Sequence, residues 1–263
     1  MPTKKKKIAF DLYGTLLSTE SISSKISPFL FPDNKVKEKA TSIASQWRRY
    51  QLEYTWRMNS MGKYIPFSEI TRKALVHAAI EHDMVFSSTE KDELMQAYDS
   101  LHVFPDVPAA VKQIAEAEVD AYIFSNGTAE MVGNSVKTSP ELGGRMGLFK
   151  GFVSVDDVKC FKPDPKTYEH LVKETGKGKG EEEGDVWVVS ANAFDVVGAR
   201  AFGLKAVFID RVGRGWVDGL DGDNDNDDDD DDGGGGGQER GGLVVVRGVD
   251  EAVKAILEYE DSN

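Results

Sequence analysis

The chain has little cysteine and lacks long apolar runs. Its single cysteine, Cys160, cannot form a disulfide bond within the chain, so nothing requires an oxidising compartment. The apolar run near the N-terminus, after the lysines that end at Lys7, is about five residues long, too short for a signal peptide or a membrane span. These absences predict a cytoplasmic protein that does not insert into membranes.

A basic surplus is also missing, because the net charge is −13. Ten of the aspartates responsible lie between Asp218 and Asp232, so the rest of the chain is nearly balanced. This pattern argues against a general affinity for nucleic acid or anionic lipid. The four histidines are scattered without the spacing of metal ligands, which argues against a zinc site.

Two irregular segments look peripheral to the fold. Residues 219–242 contain the aspartate run and then glycines, a composition that predicts a disordered acidic linker. Asp221, Asp223 and Asp225 resemble the start of a calcium loop, but Asn226 stands where such a loop needs glycine. Residues 176–184 predict a second irregular loop.

Short apolar runs typical of buried parallel strands recur along the chain, at Lys7–Leu12, Val119–Ser125, Gly151–Val155, Asp185–Ser190, Leu204–Ile209 and Leu243–Val246. Helical patterns alternate with them, notably at Val107–Ala117, Pro165–Glu174, Asp195–Ala201 and Asp250–Glu258. This alternation predicts an α/β protein with a doubly wound, Rossmann-like parallel sheet.

The first two predicted strands are separated by a long insertion. Residues 18–100 show helical periodicity and no convincing strand. An insertion that leaves directly after the first strand is placed to cover the carboxyl ends of the strands, where open α/β sheets bind ligands. The sequence therefore predicts a core of residues 1–17 and 101–263 and a helical cap of residues 18–100.

Polar residues follow several of the predicted strands in a characteristic order. An acid, Asp11, lies at the end of the first predicted strand, and Ser125 lies at the end of the second. A Lys-Pro pair begins at Lys162, and a last acid, Asp195, closes a segment that begins at Ser190. These four segments resemble the motifs of the haloacid dehalogenase superfamily.

Further motifs narrow the resemblance to one subfamily. Phosphatases of this superfamily carry a second aspartate two residues after the nucleophile, where this chain has Tyr13. The segments Asp-Leu-Tyr-Gly-Thr-Leu at 11–16, Ser-Ala-Asn-Ala-Phe-Asp at 190–195 and Gln-Trp-Arg-Arg-Tyr-Gln-Leu-Glu-Tyr-Thr-Trp at 46–56 look like those of type II (S)-2-haloacid dehalogenases. The resemblance covers nearly the whole chain apart from the two glycine-rich insertions.

The resemblance implies that the chain converts short (S)-2-haloalkanoic acids to 2-hydroxy acids with inversion, without metal or other cofactor. Asp11 would attack the substrate and form an ester. A carboxylate nucleophile needs a cation and hydrogen-bond donors, for which Lys162, Thr15 and Ser190 are the candidates. Water would then hydrolyse the ester, and Asp195 and Asn192 would hold or activate this water. Tyr168 would form a hydrogen bond to the lysine or to the carboxylates.

The remaining candidates would bind the substrate. Ser125 and its backbone suit the substrate carboxylate. The resemblance gives Arg48 and Asn126 the departing halide, and it gives the apolar wall to Tyr13, Leu52 and Phe194, the last at a position where the family more often has tryptophan. It also implies a small-molecule 2-haloacid partner and a homodimer.

Structural alternatives exist for several candidates. Ser190 and Asn192 could cap the helix near Asp195. Arg48 has a neighbour, Arg49, and either could belong to a solvated helix face. Asp11 alone could cap a helix, and Tyr168 and Phe194 could be packing residues. For the whole chain, a magnesium-dependent phosphatase and a non-catalytic relative are the alternative functions.

Overall fold

The structure is a computed structural model that describes residues 5–30, 35–176, 186–220 and 243–260. Six strands form one sheet: β1 Lys7–Phe10, β2 Asp120–Ser125, β3 Phe149–Ser154, β4 Val186–Ser190, β5 Lys205–Ile209 and β6 Leu243–Val246. Their order is β3-β2-β1-β4-β5-β6, and every neighbouring pair is parallel. The expected doubly wound α/β core is therefore confirmed.

Strand β1 lies in the middle of the sheet, where Phe10 is in register with Ile123 of β2 and Val189 of β4. All residues of β1 and β4 are buried, as apolar runs covered on both faces should be. The strand order reverses at β1, and a crevice at the carboxyl ends of the strands is the usual ligand site at such a point.

The described helices are α1 Ser23–Ile26, α2 Val36–Ser60, α3 Phe67–Glu81, α4 Ser88–Tyr98, α5 Val107–Glu116, α6 Ala129–Thr138, α7 Pro140–Gly143, α8 Pro165–Thr175, α9 Ala193–Phe202 and α10 Val249–Glu258. Helix α9 begins at Ala193, two residues earlier than the apolar pattern predicts. It ends at Phe202 and is capped by Gly203, whose φ of +96° is left-handed and favours glycine.

Helices α1 to α4 fill the insertion between β1 and β2. Helices α2 and α3 pack closely, and polar groups at their contact are paired: Trp47 Nε1 donates to the carbonyl of Thr71 at 2.7 Å. Gln51 bonds the Thr71 hydroxyl at 3.0 Å and accepts a bond from Tyr98 of α4. Since buried polar groups must be paired, this network fixes how the three helices meet.

The two chain segments that join this helical insertion to the sheet run side by side. Leu17 forms an antiparallel bridge with Val103, and the N–H of Ser18 donates to the carbonyl of His102 at 2.8 Å. The first of these connecting segments begins a few residues beyond β1, so the insertion leaves the sheet beside the carboxyl end of the central strand.

Almost all of the two segments expected to be irregular lies outside the described residues, at 176–184 and 219–242. The predicted disorder of 219–242 and the predicted absence of a calcium loop there therefore stay predictions. Within the described ranges, no helix combines the length and apolar character needed to cross a membrane.

Candidate active site

Asp11 stands just beyond β1 and is held in line with the sheet, since its N–H donates to the Val189 carbonyl at 3.0 Å. A tight turn follows, in which the carbonyl of Leu12 accepts the N–H groups of the next turn residues. Gly14 has a φ of +92°, and an added Cβ would lie 3.4 Å from the amide of Asn192. The left-handed φ favours glycine, and the turn brings Thr15 back to Asp11.

Three donors hold the Asp11 carboxylate. Oδ2 accepts the Thr15 hydroxyl at 2.7 Å and Nδ2 of Asn192 at 2.7 Å. Oδ1 accepts Nζ of Lys162 at 3.1 Å and has no second hydrogen-bond partner among the described residues. The side chain is nearly buried, so the donors fix its orientation and leave Oδ1 as the less engaged oxygen.

Lys162 is fully buried and lies between two carboxylates. Its Nζ is 2.7 Å from Oδ2 of Asp195 and 3.1 Å from Asp11, and it also donates to the carbonyl of Phe124 at 2.9 Å. Burial alone would lower the pKa of Lys162, but the two carboxylates outweigh burial and raise the pKa. The side chain is therefore a cation at neutral pH.

Asp195, in the first turn of α9, is also fully buried. Burial raises the pKa of its carboxyl, while the nearby Lys162 opposes that rise. The hydroxyl of Tyr168 donates to Oδ1 at 3.0 Å and to the Asp195 carbonyl at 3.1 Å. Burial raises the pKa of Tyr168 well above its usual value, so the hydroxyl remains a donor.

Arg48 brings helix α2 to the end of the sheet. Its Nη2 donates to the carbonyl of Tyr13 at 2.8 Å and to Oδ1 of Asn192 at 3.3 Å. The neighbouring Arg49 is exposed, so Arg48 is the arginine that faces the site. Leu52, one helical turn further along α2, is half-buried.

The capping alternative is wrong for Asn192. It occupies the position before α9, but its side chain makes no capping hydrogen bond and turns to Asp11 instead. The hydroxyl of Ser190 accepts the N–H of Asn192 at 3.1 Å. Among the described residues the Ser190 hydroxyl bonds Asn192 and does not contact Asp11. The expected assistance of Ser190 to the nucleophile therefore stays a prediction.

The end of β2 supplies Ser125 and Asn126, both buried. The Ser125 hydroxyl accepts the N–H of Gly127 at 3.0 Å. Oδ1 of Asn126 accepts the N–H of Lys162 at 2.9 Å, which leaves Nδ2 as the donor of this amide. Each residue therefore has a fixed orientation and keeps a donor group, the Ser125 hydroxyl or the Asn126 Nδ2, that has no hydrogen-bond partner among the described residues.

Two aromatic candidates differ in their surroundings. Tyr13 is buried against Phe67 and Tyr98, with ring centroids 6.1 and 5.4 Å away, and its hydroxyl lies 3.0 Å from the Ser135 hydroxyl. Burial raises the pKa of Tyr13, so this hydroxyl is poorly suited to give up a proton. Phe194 is half-buried and packs edge-on against Trp56 of α2 at 5.5 Å.

The structure also gathers residues that the sequence reasoning did not select. Arg211 donates to both carboxylate oxygens of Asp106, at 3.0 and 2.8 Å, and to the carbonyl of Thr15 at 2.8 Å. It follows the end of β5 by two residues, so the rule that selected Asp11 and Ser125 would have found it.

Cys160 is buried and its thiol pKa is raised to about 11, mainly by burial, which argues against a nucleophilic role.

Among the described residues, no group of three histidine, cysteine, aspartate or glutamate side chains is arranged to hold a metal ion. The carboxylates that a magnesium ion would need, Asp11 and Asp195, have the ammonium of Lys162 between them. This donor set does not suit a divalent cation.

Comparison with known proteins agrees with this geometry. The family model for haloacid dehalogenase-like hydrolases matches residues 5–203. The (S)-2-haloacid dehalogenase 4A of Burkholderia cepacia is 33% identical over 204 residues, which are 78% of this chain and 82% of that protein. Haloacetate dehalogenase H-2 of Moraxella sp. is also 33% identical, over 80% of this chain and 88% of its own length.

A solved structure is similar over almost the full length. It is the L-2-haloacid dehalogenase from Xanthobacter autotrophicus with chloropropionic acid covalently bound, with a TM-score of 0.76 and 25% identity, covering 98% of this chain and 100% of that one. The fold, the strand-end residues and these relatives agree that the chain belongs to the haloacid dehalogenase-like hydrolase family, where it groups with the (S)-2-haloacid dehalogenases.

Proposed function

We propose that this protein hydrolyses the carbon–halogen bond of short (S)-2-haloalkanoic acids and releases 2-hydroxy acids with inverted configuration. The observation that carries the proposal is the Asp11 carboxylate, which Thr15, Asn192 and Lys162 hold, while Oδ1 accepts only the Lys162 bond among the described residues. A carboxylate held in this way at the carboxyl end of a central strand suits nucleophilic catalysis. The relatives named above support carbon–halogen chemistry.

In the first step, Oδ1 of Asp11 forms a bond to C2 of the substrate from the side opposite the halogen. The carbon–halogen bond breaks, the halide leaves with the electron pair, and the configuration at C2 inverts. We assign the attack to Oδ1 because the two donors on Oδ2 occupy both of its lone-pair directions. Lys162 keeps the buried carboxylate next to a positive charge.

The substrate would lie between helix α2 and the carboxyl ends of β1, β2 and β4. Ser125 and nearby backbone N–H groups would bind its carboxylate. Arg48 and the Nδ2 of Asn126, which has no hydrogen-bond partner in the described part of the chain, would receive the halide. Tyr13, Leu52 and Phe194 would form the apolar wall that keeps bulk water from C2.

In the second step, water adds to the carbonyl carbon of the Asp11 ester and loses a proton. The bond from this carbon to the ester oxygen breaks, and the alkoxide takes up a proton and leaves as the 2-hydroxy acid. Asp195 and Asn192 would hold and activate this water, since Asp195 shares the Lys162 ammonium with Asp11. Tyr168 would keep Asp195 oriented.

We also propose that the chain divides into a cap and a core. Residues 18–100 would act as a cap over a core formed by residues 1–17 and 101–263, and substrate would enter where the two meet. A small 2-haloacid is the proposed partner, and the homodimer stays a prediction.

The test is chloride release from (S)-2-chloropropionate without added metal, with Asp11→Asn beside the wild type. Asp92→Asn, an exposed acid of α4 paired with Arg72, is the matched control and should keep full activity. A single turnover in ¹⁸O-labelled water should place the label in Asp11, because water attacks the carbonyl carbon of the ester. Label found only in the 2-hydroxy acid would contradict the ester.

Absence of chloride release would count against the proposal itself. Magnesium-dependent release of phosphate from p-nitrophenyl phosphate would then support the phosphatase alternative. Tyr13 disfavours that outcome, since it stands where the phosphatases of the superfamily carry their general acid. Inactivity in both assays would point to a non-catalytic relative.

A further inference from the structure

Asn59, near the end of α2, makes an unusual pair of hydrogen bonds. Its Nδ2 donates to the carbonyl of Phe161 at 2.6 Å, and its Oδ1 accepts the N–H of the same residue at 3.0 Å. A side-chain amide that pairs with both backbone groups of one residue fixes that residue much as a neighbouring strand would. Phe161 directly precedes Lys162.

The peptide group between Phe161 and Lys162 is therefore bound at both ends. Asn59 binds its carbonyl from helix α2, and Oδ1 of Asn126 accepts its N–H at 2.9 Å from the end of β2. Each bond removes freedom from the backbone that carries the buried ammonium. The position of Lys162 between Asp11 and Asp195 thus depends on helix α2 as well as on the sheet.

Neighbouring contacts hold the same two segments together. The ring of Tyr64, which follows α2, stacks on Phe161 at 4.9 Å, and its hydroxyl donates to Asp156. Helix α2 also carries Arg48, eleven residues before Asn59 and so about three turns away. One rigid helix therefore contacts the backbone next to Lys162 at its end and the carbonyl of Tyr13 further back.

We propose that Asn59 is a positioning residue that keeps α2, and with it Arg48, in register with Lys162. The inference rests on the proposed dehalogenase function, in which Arg48 binds the departing halide and Lys162 binds the attacking carboxylate. Asn59 touches no reacting atom. It fixes the distance between the group that receives the halide and the cation beside the nucleophile.

The test compares Asn59→Ala and Asn59→Asp with the wild type. Asn59→Asp keeps the size of the side chain and the acceptor for the Phe161 N–H, but it faces the Phe161 carbonyl with an oxygen. We expect kcat for (S)-2-chloropropionate to fall about tenfold in Asn59→Ala and further in Asn59→Asp, with a smaller change in KM, because misplaced catalytic groups slow the chemical step. Both variants should stay folded.

Asn134→Ala is the matched control. Asn134, on α6, also bonds across to the helical insertion, to Asp99 at 3.3 Å, but it is exposed and lies outside the Lys162 segment. Its kcat should equal that of the wild type. An equal loss of kcat in Asn134→Ala and Asn59→Ala would show that any weakened contact between the insertion and the sheet lowers activity. That result would overturn the proposal.

Hydrogen–deuterium exchange of the backbone gives a readout that needs no activity. Peptides covering residues 156–163 should exchange faster in both Asn59 variants and at the wild-type rate in Asn134→Ala. Unchanged exchange together with unchanged kcat would refute the positioning role. If the wild type releases no chloride, the dehalogenase proposal fails, yet the exchange data still report whether Asn59 fixes this segment.

Discussion

The hydroxyl of Tyr168 donates to Oδ1 of Asp195 at 3.0 Å, so both oxygens of this fully buried carboxylate are engaged. Lys162 takes the other oxygen. A hydrogen bond to the charged form of an acid lowers its pKa, and here it opposes the rise that burial causes.

Tyr168→Phe should therefore raise the pKa of Asp195. Because an acid of higher pKa is protonated at higher pH, the acidic limb of the profile of kcat/KM against pH should move to higher pH. We also expect a loss of stability of about 1 kcal/mol, measured by urea unfolding. An acidic limb that stays in place would show that Asp195 does not control it.

Lys162→Met removes the cation between two buried carboxylates. We expect a loss of about 3 to 5 kcal/mol at pH 8, because breaking a buried ion pair leaves its charge uncompensated. Without Lys162 the folded-state pKa of Asp195 rises further above the unfolded value, so the folded variant binds the extra proton. Its stability is therefore highest at acidic pH and is lost as the pH rises through the folded pKa.

Urea unfolding at pH 5 and pH 8 checks this sign. The difference between wild type and Lys162→Met should be larger at pH 8. Lys112→Met, which removes an exposed pair with Glu116, should change stability little at either pH. A difference that grew toward acidic pH would contradict the prediction.

Much of this architecture could be predicted from the sequence. Parallel strands buried on both faces leave continuous apolar runs, and their ends are marked by polar residues such as Asp11 and Ser125. Every expected strand is present with its boundaries shifted by two residues or fewer. The order of the motifs and the family resemblance brought Lys162 and Asp195 into the predicted site, and the structure places Lys162 between Asp11 and Asp195.

The rest depends on contacts that leave no local pattern. Nothing near Asn59 indicates that its amide reaches a backbone 102 residues away, because helical spacing records only which face is buried. For Ser190 the sequence predicted the position but not the contact. The residue ends strand β4, as predicted, but its hydroxyl bonds Asn192 instead of Asp11. A strand end places a residue at the site without fixing where its side chain points.

Phe194→Ala should allow the enzyme to accept 2-haloacids with longer carbon chains. The ring packs against Trp56 between α9 and α2, so removing it opens space at the proposed apolar wall. A methylene group in an apolar pocket changes selectivity by about tenfold or somewhat more. We expect kcat/KM for (S)-2-chlorobutyrate, relative to (S)-2-chloropropionate, to rise by about that factor.

The control for this substitution is Phe202→Leu, which alters an aromatic residue of α9 that packs against Tyr168. It should leave the ratio of the two substrates near the wild-type value. An unchanged ratio in Phe194→Ala would remove Phe194 from the wall and assign it to the contact between the helices.

The guanidinium of Arg211 binds the turn that carries Thr15, at the Thr15 carbonyl. It is anchored by Asp106 and lies over the ring of Phe104 at 3.7 Å, so its orientation is fixed. Arg211→Met should free the Thr15 carbonyl, let the Thr15 hydroxyl move from Asp11, and lower kcat about tenfold with little change in KM.

A double-mutant cycle separates this effect from a general loss of structure. If Arg211 acts through Thr15, adding Arg211→Met to Thr15→Val should cost almost nothing further in kcat, since the hydroxyl that it positions is already absent. Arg211→Lys should recover only part of the activity, because a single ammonium cannot bind the Asp106 carboxylate in two places. Losses that multiply in the double variant would show that the two residues act independently, and would refute a role of Arg211 through Thr15.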